Sequence, residues 1–358
     1  MKIALVTASY YPCLGGVNTH VKELADRFAK RKDDLEVEVL TTDPSGRLPS
    51  DEIVDGVRVR RFKSWAPHDS YYFSGSLRTW LMKHSNDFDV VHVHSYHTLM
   101  PLYAAQAKNK NRLVFTPHYH GTGHTLFRAL LHKPYRYLGK RIFEKTDRVI
   151  CVSHYEKALV LKNFGVDEEK VDVIPNGVDP EEFKGLARRK NDHLTILTVG
   201  RLEKYKGMHY LIKVLPRLDR CTELEIVGEG PYKENLIRLS KKLNVDDRVT
   251  FSQDLSRHDL LQRYADADVF CLLSEHEAYG ISVAEALCAR TPCIVANMSA
   301  LTEWTDCKSC FGIDLPIDLD ELKRLIGRVI GEKVGELKIA DWNDVTSRLV
   351  LLYEEVAN

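Results

Sequence analysis

The chain has 358 residues, 44% of them hydrophobic and 28% charged, with 51 basic and 51 acidic side chains. Single hydrophobic cores stop growing near ~250–300 residues, so about two domains are expected. The even charge balance gives no global field for nucleic acid, and no stretch approaches the ~18 apolar residues of a membrane span.

The first stretch, MKIALVTASYYP, carries six apolar residues after one lysine. That is too short for the core of a signal peptide and reads as a first β-strand. SYYPCLGGV follows, where Gly15 and Gly16 let the backbone approach a ligand ahead of a helix; a flexible turn reads as well. In NTHVKELADRFAKR the residues Val21, Leu24, Ala25 and Phe28 share one helical face. Strand candidates continue with LEVEVLTT, VRVRRF, DVVHVH, RLVFTP and DRVICVS. Alternation of strands and helices implies βαβ units and a parallel sheet covered on both faces.

A break follows VDVIPNGVDP, where the polar PEEFKGLARRKNDH reads as a linker. The pattern then restarts with LTILTVG, ELEIVG, RVTFS, ADVFCLL and TPCIVA. The expected organisation is a Rossmann-like domain over 1–180, a linker over 181–192, a second Rossmann-like domain over 193–340 and a closing helix over 341–358. That helix places Val345, Leu349, Leu352 and Tyr353 on one side and must pack on a domain already described. Ligands of open parallel sheets bind outside the carboxyl ends of the strands. Two facing sheets would send their strand-end loops into one interdomain cleft.

Three loops of the second half follow strands. GRLEKYKG places Arg201, Lys204 and Lys206 ahead of a helix, which suits a diphosphate; a solvated basic turn is the plainer reading. GEGP is a weak glycine signal that a tight turn explains equally. SEHEAYG leads into a helix of Ile281, Val283, Ala284, Leu287 and Cys288, apolar all round and therefore buried. Glu277 precedes that helix and Glu285 lies within it, and a buried carboxylate needs donors. Either each caps the helix or pairs with a cation, or both accept hydrogen bonds from sugar hydroxyls.

The eight cysteines mostly sit in apolar runs, as small core residues of a reducing cytoplasm do; Cys307 and Cys310 form one C-x-x-C without a second pair. His92, His94, His97, His118, His120 and His124 crowd two strand ends. H-x-H pairs project to one face and ligate metals, so a metal-dependent hydrolase is a competing reading, although no Asp or Glu stands near to complete its site.

The stretch EAYGISVAE, from Glu277 to Glu285, followed by ALCARTPCIVA, resembles the paired-glutamate pattern of the retaining GT-B glycosyltransferases, and of glycosyltransferase family 4 most closely. The stations LGGV (14–17), DVVHVHS (89–95), VFTPH (114–118), VICVS (149–153), VIPNGVD (173–179), GRLEKYKG (200–207), VGEGP (227–231) and DRVTF (247–251) fall in the family's order. The resemblance covers about residues 1 to 304. It implies an α/β GT-B fold whose last helix crosses back to the N-terminal domain. It also implies transfer of a hexose, with retention, from a nucleotide-diphosphate sugar to a hydroxyl of a glycan, lipid-linked or small-molecule acceptor, without a metal or other cofactor.

By that resemblance, Glu285 would hold the ribose hydroxyls of the donor. Glu277 would bind the transferred sugar, with the Tyr279, Gly280 and Ile281 backbone nearby. Arg201 and Lys206 would neutralise the diphosphate, Gly16 would let it approach, and His118 would lie near the anomeric carbon. Arg290 stands where the family usually has glycine, and Ala300-Leu-Thr-Glu303 replaces a common Gly-x-Pro-Glu, which puts the donor sugar in question. A nucleotide-sugar epimerase of the same fold is a further alternative. Loops 63–75 and 118–135 carry no motif that identifies the acceptor. Finally, FRALLHKPYRYLGKRIF (127–143) holds Arg128, Lys133, Arg136, Lys140 and Arg141 without an acid, beside Phe127, Leu130, Tyr135 and Phe143. An ordinary helix pair on the sheet explains it; so does weak, salt-sensitive docking of a cytoplasmic protein on an anionic membrane, with about 1 kcal/mol from each cation.

Overall fold

The computed structural model describes every residue except 14, 32–33, 68–70, 122–136, 190–192, 306–307, 336–337 and 358. The first elements are β1 (Lys2–Val6), α1 (Gly16–Ala29), β2 (Glu36–Asp43), β3 (Asp51–Val54), β4 (Val57–Lys63), α2 (Gly75–His84) and β5 (Val90–His94). They are followed by α3 (Met100–Ala107), β6 (Arg112–Thr116), α4 (helical over 137–145), β7 (Arg148–Cys151), α5 (His154–Phe164) and β8 (Val171–Val173). Then come β9 (Leu194–Val199), α6 (Met208–Val214), β10 (Thr222–Val227), α7 (Lys233–Lys242), β11 (Val249–Ser252), α8 (Arg257–Asp266) and β12 (Val269–Leu272). The chain ends with α9 (Ile281–Cys288), β13 (Cys293–Ala296), β14 (Cys310–Ile313), α10 (Leu319–Val329) and α11 (Trp342–Ala357).

Two units result: Met1–Asn176 with Trp342–Asn358, and Gly177–Asp341. The division falls before the expected boundary at 180, and 181–189 does not stand apart as a linker. Its polar groups are spent inside the second unit, where Glu182 pairs with Arg257 at 2.7 Å, Gln262 donates to the Ala187 carbonyl and the Arg189 amide donates to Asp266. A polar stretch reads as a linker from sequence because nothing in it names those partners.

In the first unit eight strands run in the order β3-β4-β2-β1-β5-β6-β7-β8, parallel except for β3, which pairs antiparallel with β4. The continuous apolar runs β1 and β5 are buried, as strands covered on both faces must be. The helical face Val21, Leu24, Ala25 and Phe28 of α1 is fully buried. The closing helix α11 buries Trp342, Val345, Leu349, Leu352 and Tyr353 in this unit, with Tyr353 against Phe28. In α4, Ile142 and Phe143 are buried while Tyr137, Lys140 and Arg141 face out. The rest of the basic segment, 127–136, lies outside the described residues, as do His124 and Cys307.

The second unit is an all-parallel sheet in the order β11-β10-β9-β12-β13-β14. Its chain ends are tied where the Val178 amide donates to the Ala340 carbonyl at 2.8 Å. Each sheet grows one way from its first strand and then the other way: β1 is flanked by β2 and β5, and β9 by β10 and β12. Such a reversal opens a crevice at the carboxyl ends of the two central strands, the usual seat of a ligand in this architecture. Among the described residues, no helix is long and apolar enough to cross a membrane.

Candidate active site

In the second unit the crevice lies between the ends of β9 and β12. The loop after β9 closes with a helical turn at 204–206 and Gly207, whose φ of 73° is left-handed. A Cβ there would sit 2.2 Å from the Leu273 carbonyl oxygen, so only glycine lets this loop meet the end of β12. The Glu275 amide donates to the Tyr205 carbonyl at 2.9 Å and ties the two loops together. This brings Lys206 Nζ to 2.5 Å from Glu277 Oε1, both side chains about six-sevenths buried. Burial by itself would lower the lysine's pKa. The negative charge of Glu277, with Tyr205, Glu203 and the hydrogen bond, outweighs it, and the net shift is upward. The ammonium is therefore fixed as a cation.

Glu277 is held further by Ser299, whose hydroxyl accepts from the Glu277 amide at 3.0 Å. Gly280 starts α9 with φ 98°. Trp304 donates from its indole to the Tyr279 carbonyl at 2.7 Å and stacks edge-on against the Tyr279 ring. The Tyr279 backbone at the start of α9 is thus held in place. Arg201 is half exposed and lies 3.4 Å from Glu203. The glycines of GEGP prove structural: a Cβ on Gly228 would lie 2.2 Å from the Gly200 carbonyl oxygen, and one on Gly230 2.4 Å from that of Leu202. They let the loops after β9 and β10 touch.

Glu285 of α9 is 6% exposed and has the donors it needs. Arg257 donates to Oε1 at 2.5 Å and the Tyr264 hydroxyl to Oε2 at 2.9 Å. Arg257 also grips Glu182, and its pKa rises because Glu285 and Glu182 together outweigh burial, which alone would lower it. Burial first, and then the Glu285 charge, push the Tyr264 hydroxyl far up. Sequence reading did not find Arg257 or Tyr264. The available signal was a basic residue opening α8, the helix that follows β11. Both signature carboxylates are thus ion-paired, the ordinary one of the two readings. Arg290, at φ 65°, turns away to donate to the Gly335 carbonyl at 2.9 Å, while Ala300 is buried next to Ser299.

In the first unit Gly16 opens α1, exposed, after Gly15. Histidines gather at the ends of β5 and β6, but in a different set from the expected one. His92 is fully paired, Nδ1 with the Tyr353 hydroxyl at 2.5 Å and Nε2 with the Thr116 hydroxyl at 2.8 Å. It is structural, and His120 stacks on His97 at 4.5 Å. The rings that converge are His20, His94 and His118, with one nitrogen of each within 4.8 Å of the others. His20 escaped sequence reading because it falls on the buried stripe of α1, where it looks like a core residue. Burial lowers its pKa to about 4 and holds His94 and His118 well below the ordinary histidine value.

Comparison with known proteins supplies the context for this geometry. Residues 14–182 match the family model described as Glycosyltransferase Family 4, and 179–309 match Glycosyl transferases group 1. The chain is 30% identical over 334 residues to an uncharacterized glycosyltransferase of Methanocaldococcus jannaschii, covering 85% of this chain and 82% of that one. It is 31% identical over 333 residues to the glycogen synthase of Mycobacterium tuberculosis, covering 85% and 80%. Among solved structures, the sucrose-phosphate synthase of Thermosynechococcus elongatus superposes with a TM-score of 0.80 at 19% identity, covering 99% of this chain and 98% of that one. HepE of Anabaena, solved with UDP and glucose, gives 0.79 at 18% identity, covering 99% of both chains.

Proposed function

The chain belongs to glycosyltransferase family 4, with the GT-B fold, and on that premise we propose that it moves a hexose from a nucleotide-diphosphate sugar to a hydroxyl acceptor, with retention and without a metal. The observation that carries this reading is the buried Lys206–Glu277 pair at the crevice between β9 and β12, 2.5 Å apart. A departing diphosphate needs fixed positive charge where its own charge develops, and a buried, paired lysine supplies it without reorganisation. Arg201 adds a second cation. Glu277 and the 279–281 backbone take the sugar. Glu285, pre-oriented by Arg257 and Tyr264, takes the ribose. Gly16 and His118 keep the diphosphate and anomeric-carbon roles that the family resemblance gives them. The acceptor hydroxyl attacks the anomeric carbon on the face from which the diphosphate departs; its proton passes to the leaving group as the new glycosidic bond forms.

Uridine donors are the first to test, since HepE was solved with UDP and glucose. A thermal-shift screen of UDP, GDP, ADP and their sugars selects the donor, and NMR of the product reads its anomeric configuration. Turnover abolished by a chelator, or an inverted product, overturns the reading. The same reading places the protein in the cytoplasm with its basic segment 127–143 docking weakly on anionic membrane; sedimentation with anionic liposomes at low salt, no greater than with neutral ones, ends that part of it.

A further inference from the structure

The histidine cluster of the first unit carries hydrogen-bonding capacity that nothing in the structure uses. His20 Nε2, both ring nitrogens of His94 and His118 Nε2 are buried without a hydrogen-bond partner among the described residues. A buried polar atom left unmet is costly, so four in one place call for an occupant. We propose that His20, His94 and His118 form a three-imidazole site for a divalent transition metal of the zinc type.

The donor set decides the class. Three imidazoles with no carboxylate suit zinc, cobalt, nickel or copper and not magnesium or calcium, which take oxygen. Three protein nitrogens leave a fourth position for water or hydroxide, and a bound hydroxide offsets part of the buried charge. The surroundings already orient one ligand. His20 Nδ1 lies 2.6 Å from Asn176 Oδ1, an acceptor, so Nδ1 carries the hydrogen and the Nε2 lone pair faces the other two rings. Trp342 packs edge-on against His20 at 5.5 Å and walls the cluster. Metal–nitrogen bonds of about 2.0–2.1 Å put tetrahedral ligand atoms about 3.3 Å apart. The nitrogens, now within 4.8 Å, need to close by about 1.5 Å at most, which side-chain rotation supplies. His92 takes no part, because both its nitrogens are spent.

The metal is an inhibitor here and not a cofactor: it engages His118 and removes it from the transfer reaction. This consequence rests on the role proposed for His118; the binding itself does not. Cobalt(II) titration of the full chain tests binding without reference to activity. One equivalent should give the intense visible absorption of tetrahedral cobalt. His20→Gln and His94→Gln should weaken binding by at least about 100-fold, and Asn176→Ala by about 10–100-fold, as loss of a supporting partner does. His258→Gln, on the exposed start of α8, should change nothing. Melting curves establish which variants fold; should His94→Gln fail, His118→Gln and Asn176→Ala decide. An equivalent of zinc should suppress turnover and a chelator restore it, while the remaining turnover of His20→Gln ignores zinc. A cobalt spectrum no different from the aqueous ion, as a water-filled cluster would give, or one that survives all these substitutions, overturns the site. A tetrahedral spectrum with turnover indifferent to zinc leaves the site standing and overturns the role of His118 instead.

Discussion

The two units repeat one arrangement, a parallel sheet that reverses its direction of growth beside its first strand, yet they fill the two crevice regions with opposite electrostatics. Around β9 and β12 two buried acid–base pairs are charged, Lys206 with Glu277 and Arg257 with Glu285. Around β1, β5 and β6 the imidazoles of His20, His94 and His118 are neutral, held so by burial. The contrast extends to carboxylates. Glu285 is 6% exposed and has an arginine; Glu156 at the start of α5 is fully buried and, among the described residues, accepts from the Tyr119 and Val152 amides at 2.5 and 2.7 Å. Burial pushes Glu156 up to about 8 despite those amides. Topology places a crevice, and the partners within it decide which charge state waits there. A paired cation suits a reaction that releases a dianion; neutral donors suit a ligand that needs lone pairs.

The severest test of the charged side is Lys206→Ala. It removes the cation facing the leaving group and strands Glu277 in a nearly buried position. Loss of one fixed electrostatic donor typically lowers kcat about 10²–10³-fold, and donor affinity should change far less. A variant with wild-type kcat and only a raised KM would mean that the pair organises the loop and takes no part in the chemistry.

The neutral side is tested by pH. Glu156 has a folded-state pKa raised above its ordinary 4.5, so the native state holds a proton that the unfolded state releases. Its stabilising contribution is complete below about pH 4.5 and is lost as pH rises through about 8, at about 1.4 kcal/mol per pH unit. Glu156→Gln keeps a neutral group and should flatten that part of the profile. Urea midpoints from about pH 5 to about pH 8 measure it. Parallel profiles for the two proteins would show Glu156 ionised in the native state, and the contrast with Glu285 would fall.

How far this was legible in the sequence follows from the kind of signal each feature leaves. β1, β5, β9 and β12 are apolar runs bounded by turns, and the loops after them announced Lys206 and Glu277. β3, β8 and β14 are three or four residues each, all at sheet edges, and DEIV, VDV and CFGI have no period long enough to read. The tandem Rossmann-like halves and the closing helix could be argued from alternation alone. The partners of Glu285 could not, since Arg257 stands 28 positions away and only folding brings it near. Nor could the true membership of the histidine cluster. H-x-H spacing puts His92 and His94 on one face, but Tyr353, 261 residues later, takes His92 out of it.

Glu285→Ala should act mainly on donor binding. Hydrogen bonds to a charged group contribute about 1.5–3 kcal/mol, so the donor Kd should rise roughly 10–100-fold while kcat changes little, because a ribose is the same in ground and transition states. Isothermal titration with the nucleotide diphosphate alone, against steady-state kinetics with the full donor, separates the two. Equal losses in kcat and affinity, matching Lys206→Ala, would erase the distinction between the two ion pairs.

The smallest expected effect bears on the histidines themselves. His92 and His94 alternate on one strand; among the described residues His92 is fully paired and His94 not at all, so it is His92 that has hydrogen bonds to lose. Tyr353→Phe deletes the hydroxyl 2.5 Å from His92 Nδ1 and leaves the ring otherwise in place against Phe28. One buried imidazole nitrogen is then unmet, at a cost of about 1–2 kcal/mol once the relief of burying one hydroxyl fewer is counted. The same contact anchors α11 to β5, so the loss should appear as a lower melting temperature and a lower urea midpoint, with kcat at low temperature unchanged. Phenylalanine fills nearly the same volume, which keeps packing out of the measurement. A variant as stable as the parent would show that pairing His92 stabilises nothing, and the unmet nitrogens of His20, His94 and His118 would then give no reason to expect an occupant.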